Sequence, residues 1–192
     1  MARNVEFDEK LAISRAMDLF WKKGYTGTSM RDLCEVMGVN ASSIYNTIGD
    51  KHQLFIRCIK YYTESRMEAA RKQLKLIGSP FKAIEKFINA SAYAITNEPD
   101  SCLAIKTTFE MAVSDEQVQQ ILKKDNDFTY SLILDLVTKA LEQKEITISQ
   151  DKEMLTDFII NHFTGWHESF IIHKDEARIK KMAKFLIEQL SR

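Results

Sequence analysis

The side chains best suited to recognition chemistry are concentrated in one stretch, GTSMRDLCEVMGVNASSIYNTIGDKHQLF, residues 27–55. Asn40, Ser42, Ser43, Tyr45, Asn46 and Thr47 form an uncharged polar run, with Arg31 and Lys51 on either side. Amides and hydroxyls flanked by a few cations suit hydrogen bonding to base edges and phosphates. They do not assemble a nucleophile with its base. Elsewhere the spacings that catalysis needs are missing: there is no phosphate-cradling GxxxxGK followed by Ser or Thr, no GxGxxG, no HExxH and no GxSxG. His162 and His167 are five positions apart, which puts them on different faces of a helix and makes joint metal binding poor. Cys34, Cys58 and Cys102 show no CxxC spacing, so neither a disulfide framework nor a structural zinc site is indicated. The expectation is a protein with no enzyme activity, no metal and no cofactor.

The elements that must position this run are short. Apolar residues Leu11, Ile13, Ala16, Met17, Leu19, Phe20 and Trp21 form a helical stripe from Asp8 to Lys23, closed by Gly24. Thr28 or Ser29 caps a second helix that buries Met30, Leu33, Val36 and Met37, and Gly38 stands where a left-handed residue lets the chain turn. Asn40 caps a third helix, Ala41 to about Thr47, with Ile44 and Ile48 inward and Ala41, Ser42, Tyr45 and Asn46 on the opposite face. Such a unit is a helix-turn-helix, and its brevity makes sense if the third helix enters the major groove of a duplex. Small residues at Ala41, Ser42 and Ser43 allow close approach, and the helix N-terminus favours phosphate. The Tyr45 ring has a second possible role, capping the small core.

The remainder reads as six more helices, for about nine in all and no strand. Asp50 caps the fourth, which runs toward Leu76. Gly78-Ser79-Pro80 opens a fifth that ends near Thr96, and a sixth runs from Ser101 to Ala112. Ser114 with Gln117 reads as a capping box for a seventh that ends near Gln143. Ser149 and Asp175 cap the eighth and ninth. Composition agrees with an all-α class: 192 residues, two prolines and 45% hydrophobic content, enough for a substantial core. Lys plus Arg equals Asp plus Glu at 27 each, which argues against an indiscriminate polyanion binder. Residues 1–60 carry nine basic side chains against seven acidic ones, a modest excess of two. No apolar run approaches a membrane span and the start has no secretion-signal pattern, so a cytoplasmic protein without a membrane partner is expected.

The order and spacing of Leu19-Phe20, Gly24-Tyr25, Thr28-Ser29-Met30, Asp32-Leu33, Met37-Gly38-Val39, Ser43-Ile44-Tyr45, Ile48-Gly49-Asp50-Lys51 and Leu54-Phe55 resemble the DNA-binding domain of the tetracycline-repressor (TetR) family. The resemblance implies a DNA-binding domain over 6–66, with the helix-turn-helix at 29–48, and a larger helical ligand-binding and dimerisation domain over 67–192. It implies DNA contacts at Ser29, Arg31, Asn40, Ala41, Ser42, Ser43, Tyr45 and Asn46, with Thr28, Thr47 and Lys51 holding phosphate. Lys51 lies in the first turn of the fourth helix, against the local dipole, so something other than helix stability favours it. The sequence departs from the family where a Lys or Arg usually opens the third helix and an aromatic or His follows the Tyr. Ala41-Ser42 and Asn46-Thr47-Ile48 stand there instead, which predicts fewer phosphate contacts and a different operator.

The resemblance further implies a homodimer, a double-stranded operator, a small-molecule effector and release of the operator when the effector binds. Tyr93, Cys102, Phe109, Met111, Phe128, Tyr130, His162, Trp166 and His167 are the candidate effector contacts. Phe158, Phe163, Phe170, Ile179, Met182, Leu186 and Leu190 are the candidate dimer interface. Ser101-Cys102-Leu103 resembles the Gly-Cys-Leu of a subgroup in which a cysteine senses electrophiles. A Cys102 thiol sensor is therefore one alternative, and a helical interaction module without DNA binding is another.

Overall fold

The structure is a computed structural model that describes residues 8–74, 77–97, 102–148 and 150–191. Among these there are nine α-helices and no strand: α1 (Glu9–Lys23), α2 (Met30–Met37), α3 (Ala41–Thr47), α4 (Lys51–Leu74), α5 (Pro80–Asn97), α6 (Leu103–Met111), α7 (Glu116–Glu142), α8 (Lys152–His173) and α9 (Glu176–Leu190).

Local hydrogen bonds set the boundaries of the N-terminal helices. Asp8 accepts the Leu11 amide to start α1. Ser29 and Asp32 make a reciprocal box at the start of α2, with 3.1 Å from the Asp32 amide to the Ser29 hydroxyl and 3.0 Å from the Ser29 amide to the Asp32 carboxylate. Those bonds from Ser29, aided by Lys23 at 3.2 Å, hold the Asp32 carboxyl down at about 2. Gly38 ends α2 at φ 70°, a conformation that costs a side-chain-bearing residue and costs glycine nothing. Asn40 accepts the Ser43 amide at 2.8 Å to open α3, and Asp50 accepts the Gln53 amide at 2.8 Å to open α4.

Further along, the expected caps shift. The α7 cap is Asp115, which accepts the Val118 amide at 3.1 Å, while the Ser114 hydroxyl donates backward to Met111 O. A carboxylate outcompetes a hydroxyl at the positive end of a helix, so the register moves one residue on. The α8 cap is Asp151, which accepts the Met154 amide at 3.2 Å. Ser149, the expected cap there, lies outside the described residues, as do Ser101 and the expected end of α4 at Leu76. Asp175 caps α9 as expected, accepting the Arg178 amide.

Two apolar clusters organise the packing. One joins Phe20, Leu33, Ile44, Leu54, Phe55 and Ile59 of the N-terminal head to Leu103 and Met111 of α6 and Val118 of α7. The other joins Ile84, Ile88, Ile133, Val137, Ile159, Trp166, Ile179 and Leu186 of the body. Helix α4 runs unbroken through residue 66, packing on α1 at one end and on α6 and α7 further along. The head is therefore mounted on the body by one continuous rod. No helix among the described residues is long and apolar enough to cross a membrane.

Candidate nucleic-acid interface and internal cavity

Helix α3 is anchored by Ile44, fully buried, and by Ile48 just beyond its end. Most of the rest turns outward: Ala41, Ser42, Asn46 and Thr47 are exposed and Tyr45 is 54% exposed, while Ser43 is half-buried. The Tyr45 ring does not cap the core. Arg31 is exposed on α2, next to Ser29, whose hydroxyl is engaged with Asp32. The Asn40 side-chain oxygen also takes the Ser42 hydroxyl at 2.8 Å, so the carbonyl side of that amide is committed to the turn. Lys51 places its ammonium 4.3 Å from the centroid of the Tyr25 ring, a cation–π contact beside the start of α4.

One expected contact is turned the wrong way. Thr28 is buried and its hydroxyl donates to Gly24 O at 2.7 Å, closing the turn between α1 and α2. Its side chain belongs to the head's framework and cannot reach a phosphate in this arrangement. Arg57, absent from the expected set, pairs with Glu9 and donates to Thr47 O at 3.4 Å, bracing the end of α3 from beneath.

The body grips the head at the same turn. Glu110 of α6 accepts the Tyr25 amide at 3.0 Å and the Thr26 amide at 2.8 Å. Lys106, one turn earlier, donates to Trp21 O and Lys22 O. His52 on α4 pairs with Asp115 at the start of α7. A side chain at residue 24 would meet the Glu110 carboxylate at 2.9 Å, so the glycine serves both its φ of 76° and this close approach.

Above the clamp, α4, α5, α6, α7 and α8 enclose a cavity of about 360 Å3. Of the expected effector contacts, Cys102 and His167 line it. The others lie elsewhere. Tyr93 and Phe109 are 66% and 75% exposed, Met111 is buried in the head-side core, and the Phe128 ring sits under the Arg71 guanidinium at 4.7 Å. Tyr130 is half-buried and off the cavity, and His162 and Trp166 line a separate groove of about 300 Å3 with Arg178 and Phe185. Large rings fill space, whereas the room here comes from Ala69, Ala70, Ala90, Ala94 and Ala104, with Arg66, Phe87 and Phe163 among them. An unusual density of alanine on the facing sides of α4 and α5 was the available sequence signal. Cys102 is buried at the start of α6, without a side-chain cap bond, its sulfur 3.5 Å from the Tyr62 hydroxyl. A thiol packed in this way behaves as a small hydrophobe, and the sensor alternative is not favoured.

Comparison with known proteins agrees with the head's geometry. Residues 12–58 match the family of bacterial regulatory proteins, tetR family. Over those residues the head is similar to that of TetR-family regulators. The chain is 29% identical over 149 residues to the HTH-type transcriptional regulator YezE of Bacillus subtilis, covering 76% of each protein. It is 25% identical over 158 residues to the HTH-type transcriptional repressor ComR of Escherichia coli, covering 80% of this chain and 74% of ComR. Its fold matches a cysteine-substituted form of the TetR-family regulator CifR, solved with a 26-base-pair double-strand operator DNA, at a TM-score of 0.84 and 21% identity, covering 97% of this chain and 98% of the other.

The outward face of α8 and α9 is not the one expected. Ile179, Leu186 and Leu190 are buried in the protomer's own core. Phe163 also turns inward, its ring 5.6 Å from that of Phe87, and Phe170 and Met182 are half-buried. The apolar residues on the outside are Met154, Phe158, Ile171, Ile172 and Phe185. Only Phe158 of the expected set is among them.

His167 gives the body a pH dependence. Burial, and then the neighbouring Arg66 charge, lower its pKa to about 4 against an ordinary value of 6.5. The unfolded chain therefore takes up a proton that the folded chain refuses. His167 contributes its full stability above 6.5 and loses it progressively as the pH falls toward 4. At about pH 5 the loss should be about 2 kcal/mol relative to about pH 7. Urea unfolding of the protein and of His167→Gln at both pH values isolates this contribution; parallel pH dependences would show that His167 is not its source.

Proposed function

We propose that this protein is a dimeric, ligand-responsive transcriptional regulator that represses by binding a pseudo-palindromic operator and releases it when an effector occupies the cavity. The observation that carries the reading is α3, anchored by Ile44 and Ile48, with its remaining face exposed, polar and uncharged within a TetR-family head. In this reading α3 enters the major groove. Ala41, Ser42, Ser43, Tyr45 and Asn46 meet base edges and sugars, helped by Asn40. Arg31, Thr47 and Lys51 meet phosphate, and Ser29 contributes chiefly by fixing α2. Residues 6–66 act as the DNA-binding domain and 67–192 bind effector and partner.

The outward apolar face of α8 and α9, centred on Phe158, Ile172 and Phe185, packs against its counterpart in a second copy. A two-fold dimer presents two reading helices about 35 Å apart, one turn of duplex. Arg66 stands on α4, the same helix that starts at Lys51 beside the DNA, so an effector that shifts α4 changes the separation of the heads. The protein works in the cytoplasm, where its operator is, and catalyses no reaction.

The test is selection of duplexes from a random pool by the purified full-length protein at low salt. An enriched palindrome with half-sites one helical turn apart is the expected product. No enrichment would sink the operator-reading function and leave a helical interaction module.

A further inference from the structure

The outward face of α8 and α9 carries charges that the protomer leaves unmatched. Along α8, Phe158, Asn161, Gly165, Glu168 and Ile172 recur at steps of three and four and are all exposed. Along α9, Arg178, Lys181, Phe185 and Glu188 do the same. Between the two stripes runs the groove of about 300 Å3, with Trp166, Arg178, Lys181 and Phe185 on its walls. Most carboxylates of these helices are already engaged: Glu153 with Lys152, Glu176 with Lys180 and Glu188 with Lys184, while Asp151 and Asp175 cap the helices. Asp157 lies near Tyr130 of α7. Glu168 is left over. Among the described residues its side chain makes no ion pair or hydrogen bond, and neither do the side chains of Arg178 and Lys181.

Two further features lie on the same face. Trp166, at the groove, has a buried indole N–H with no acceptor in the protomer. Gly165 stands exposed in the middle of α8, where a side chain would meet nothing and the backbone is not left-handed. Glycine weakens a helix interior, so nothing within the protomer favours it there. What it permits is the close approach of another surface.

We infer that in the dimer Glu168 of each copy enters the α8–α9 groove of the other and pairs there with Arg178 and Lys181. This inference rests on the dimer through α8 and α9 proposed above, and adds the contact that sets its register and its choice of partner. A two-fold interface is self-complementary, so one surface must carry both halves of every contact. This surface does: an unmatched anion on one stripe and unmatched cations on the other, among the apolar Phe158, Ile172 and Phe185. Gly165, three residues before Glu168, lets the partner come near enough for a glutamate side chain to cross. Its carboxylate brings an acceptor to a guanidinium, an ammonium and an indole N–H, all of them donors. An apolar occupant would instead strip water from two cations and return no counter-ion.

The test is sedimentation equilibrium of the full-length protein and its surface variants over a dilution series. Glu168→Lys opposes like charges in two symmetry-related grooves, and the dimer dissociation constant should rise about a hundredfold or more, about tenfold per groove. Arg178→Glu with Lys181→Glu should do the same. The decisive sample is an equal mixture of the two variants. In their mixed dimer one groove keeps the natural pairing and the other holds it with both signs reversed, so a heterodimer should form within about tenfold of the natural affinity. That rescue also shows that both variants fold. Natural affinity in both variants, as expected if the groove serves a free anion, would overturn the inference and leave the dimer standing. So would the absence of a heterodimer from variants of unchanged helix content. A monomeric natural chain would overturn the dimer itself.

Discussion

Phe20→Ala is expected to cost about 3–5 kcal/mol and to unfold the head while the body stays dimeric. Phe20 is fully buried, its ring 5.0 Å from that of Phe55 in an edge-on contact and 6.2 Å from that of Tyr25. A head built from three short helices and the start of a fourth has few other large side chains to collapse into the gap. The loss also spreads, because Tyr25 supplies the amide held by Glu110 and the ring beneath Lys51. The body should survive, since the cluster around Ile88, Val137, Ile159 and Leu186 shares no member with the one that contains Phe20. The checks are urea unfolding, operator binding and sedimentation: an early transition, lost binding and an unchanged dimer. A single transition at the original midpoint would show that the head tolerates the cavity. Phe20→Leu, which fills most of the space, should cost markedly less.

How much was readable in advance depended on the range of the interaction. The caps at Ser29, Asn40, Asp50 and Asp175 were legible because each hydrogen bond closes over three residues, and a sequence shows neighbours three apart directly. Helix α3 was legible because Ile44 and Ile48 leave it only one possible inward side. The clamp from Glu110 to Tyr25 and Thr26 spans more than eighty residues, and no local pattern announces it. Thr28 failed in a related way: its position matched the family, but the hydroxyl closes the turn onto Gly24 O. The body failed for a different reason. Helices α8 and α9 are apolar over more than one face, and periodicity alone cannot say whether Ile179 or Phe185 meets the protomer's own core. Apart from Cys102 and His167, the cavity wall was not legible, because it is defined by what is small, at Ala69, Ala70, Ala90 and Ala94, and small side chains carry no chemical signal of their own.

Tyr45→Ala combined with Lys51→Ala should weaken operator binding by about a thousandfold without changing the fold. Neither side chain supports the core: Tyr45 is mostly exposed, and Lys51 makes a cation–π contact with Tyr25 that contributes only about 0.5–1 kcal/mol. Thermal unfolding should therefore shift by no more than a few degrees. In the proposed complex with DNA the two residues supply two contacts per head and four per dimer, and at about 1 kcal/mol each the sum is about 4 kcal/mol. With no charge on α3 itself, Lys51 is one of few cations near the groove, and losing it from both heads should reduce the salt slope of binding by about two. Tyr45→Phe separates the hydroxyl from the ring. Near-native affinity in that variant would place the contribution in stacking or apolar contact, and a loss of about 1 kcal/mol per head would place it in a hydrogen bond to phosphate. If the double variant binds the selected operator as tightly as the natural chain, α3 does not read DNA through this face. The short polar helix would then need another partner to account for its exposure.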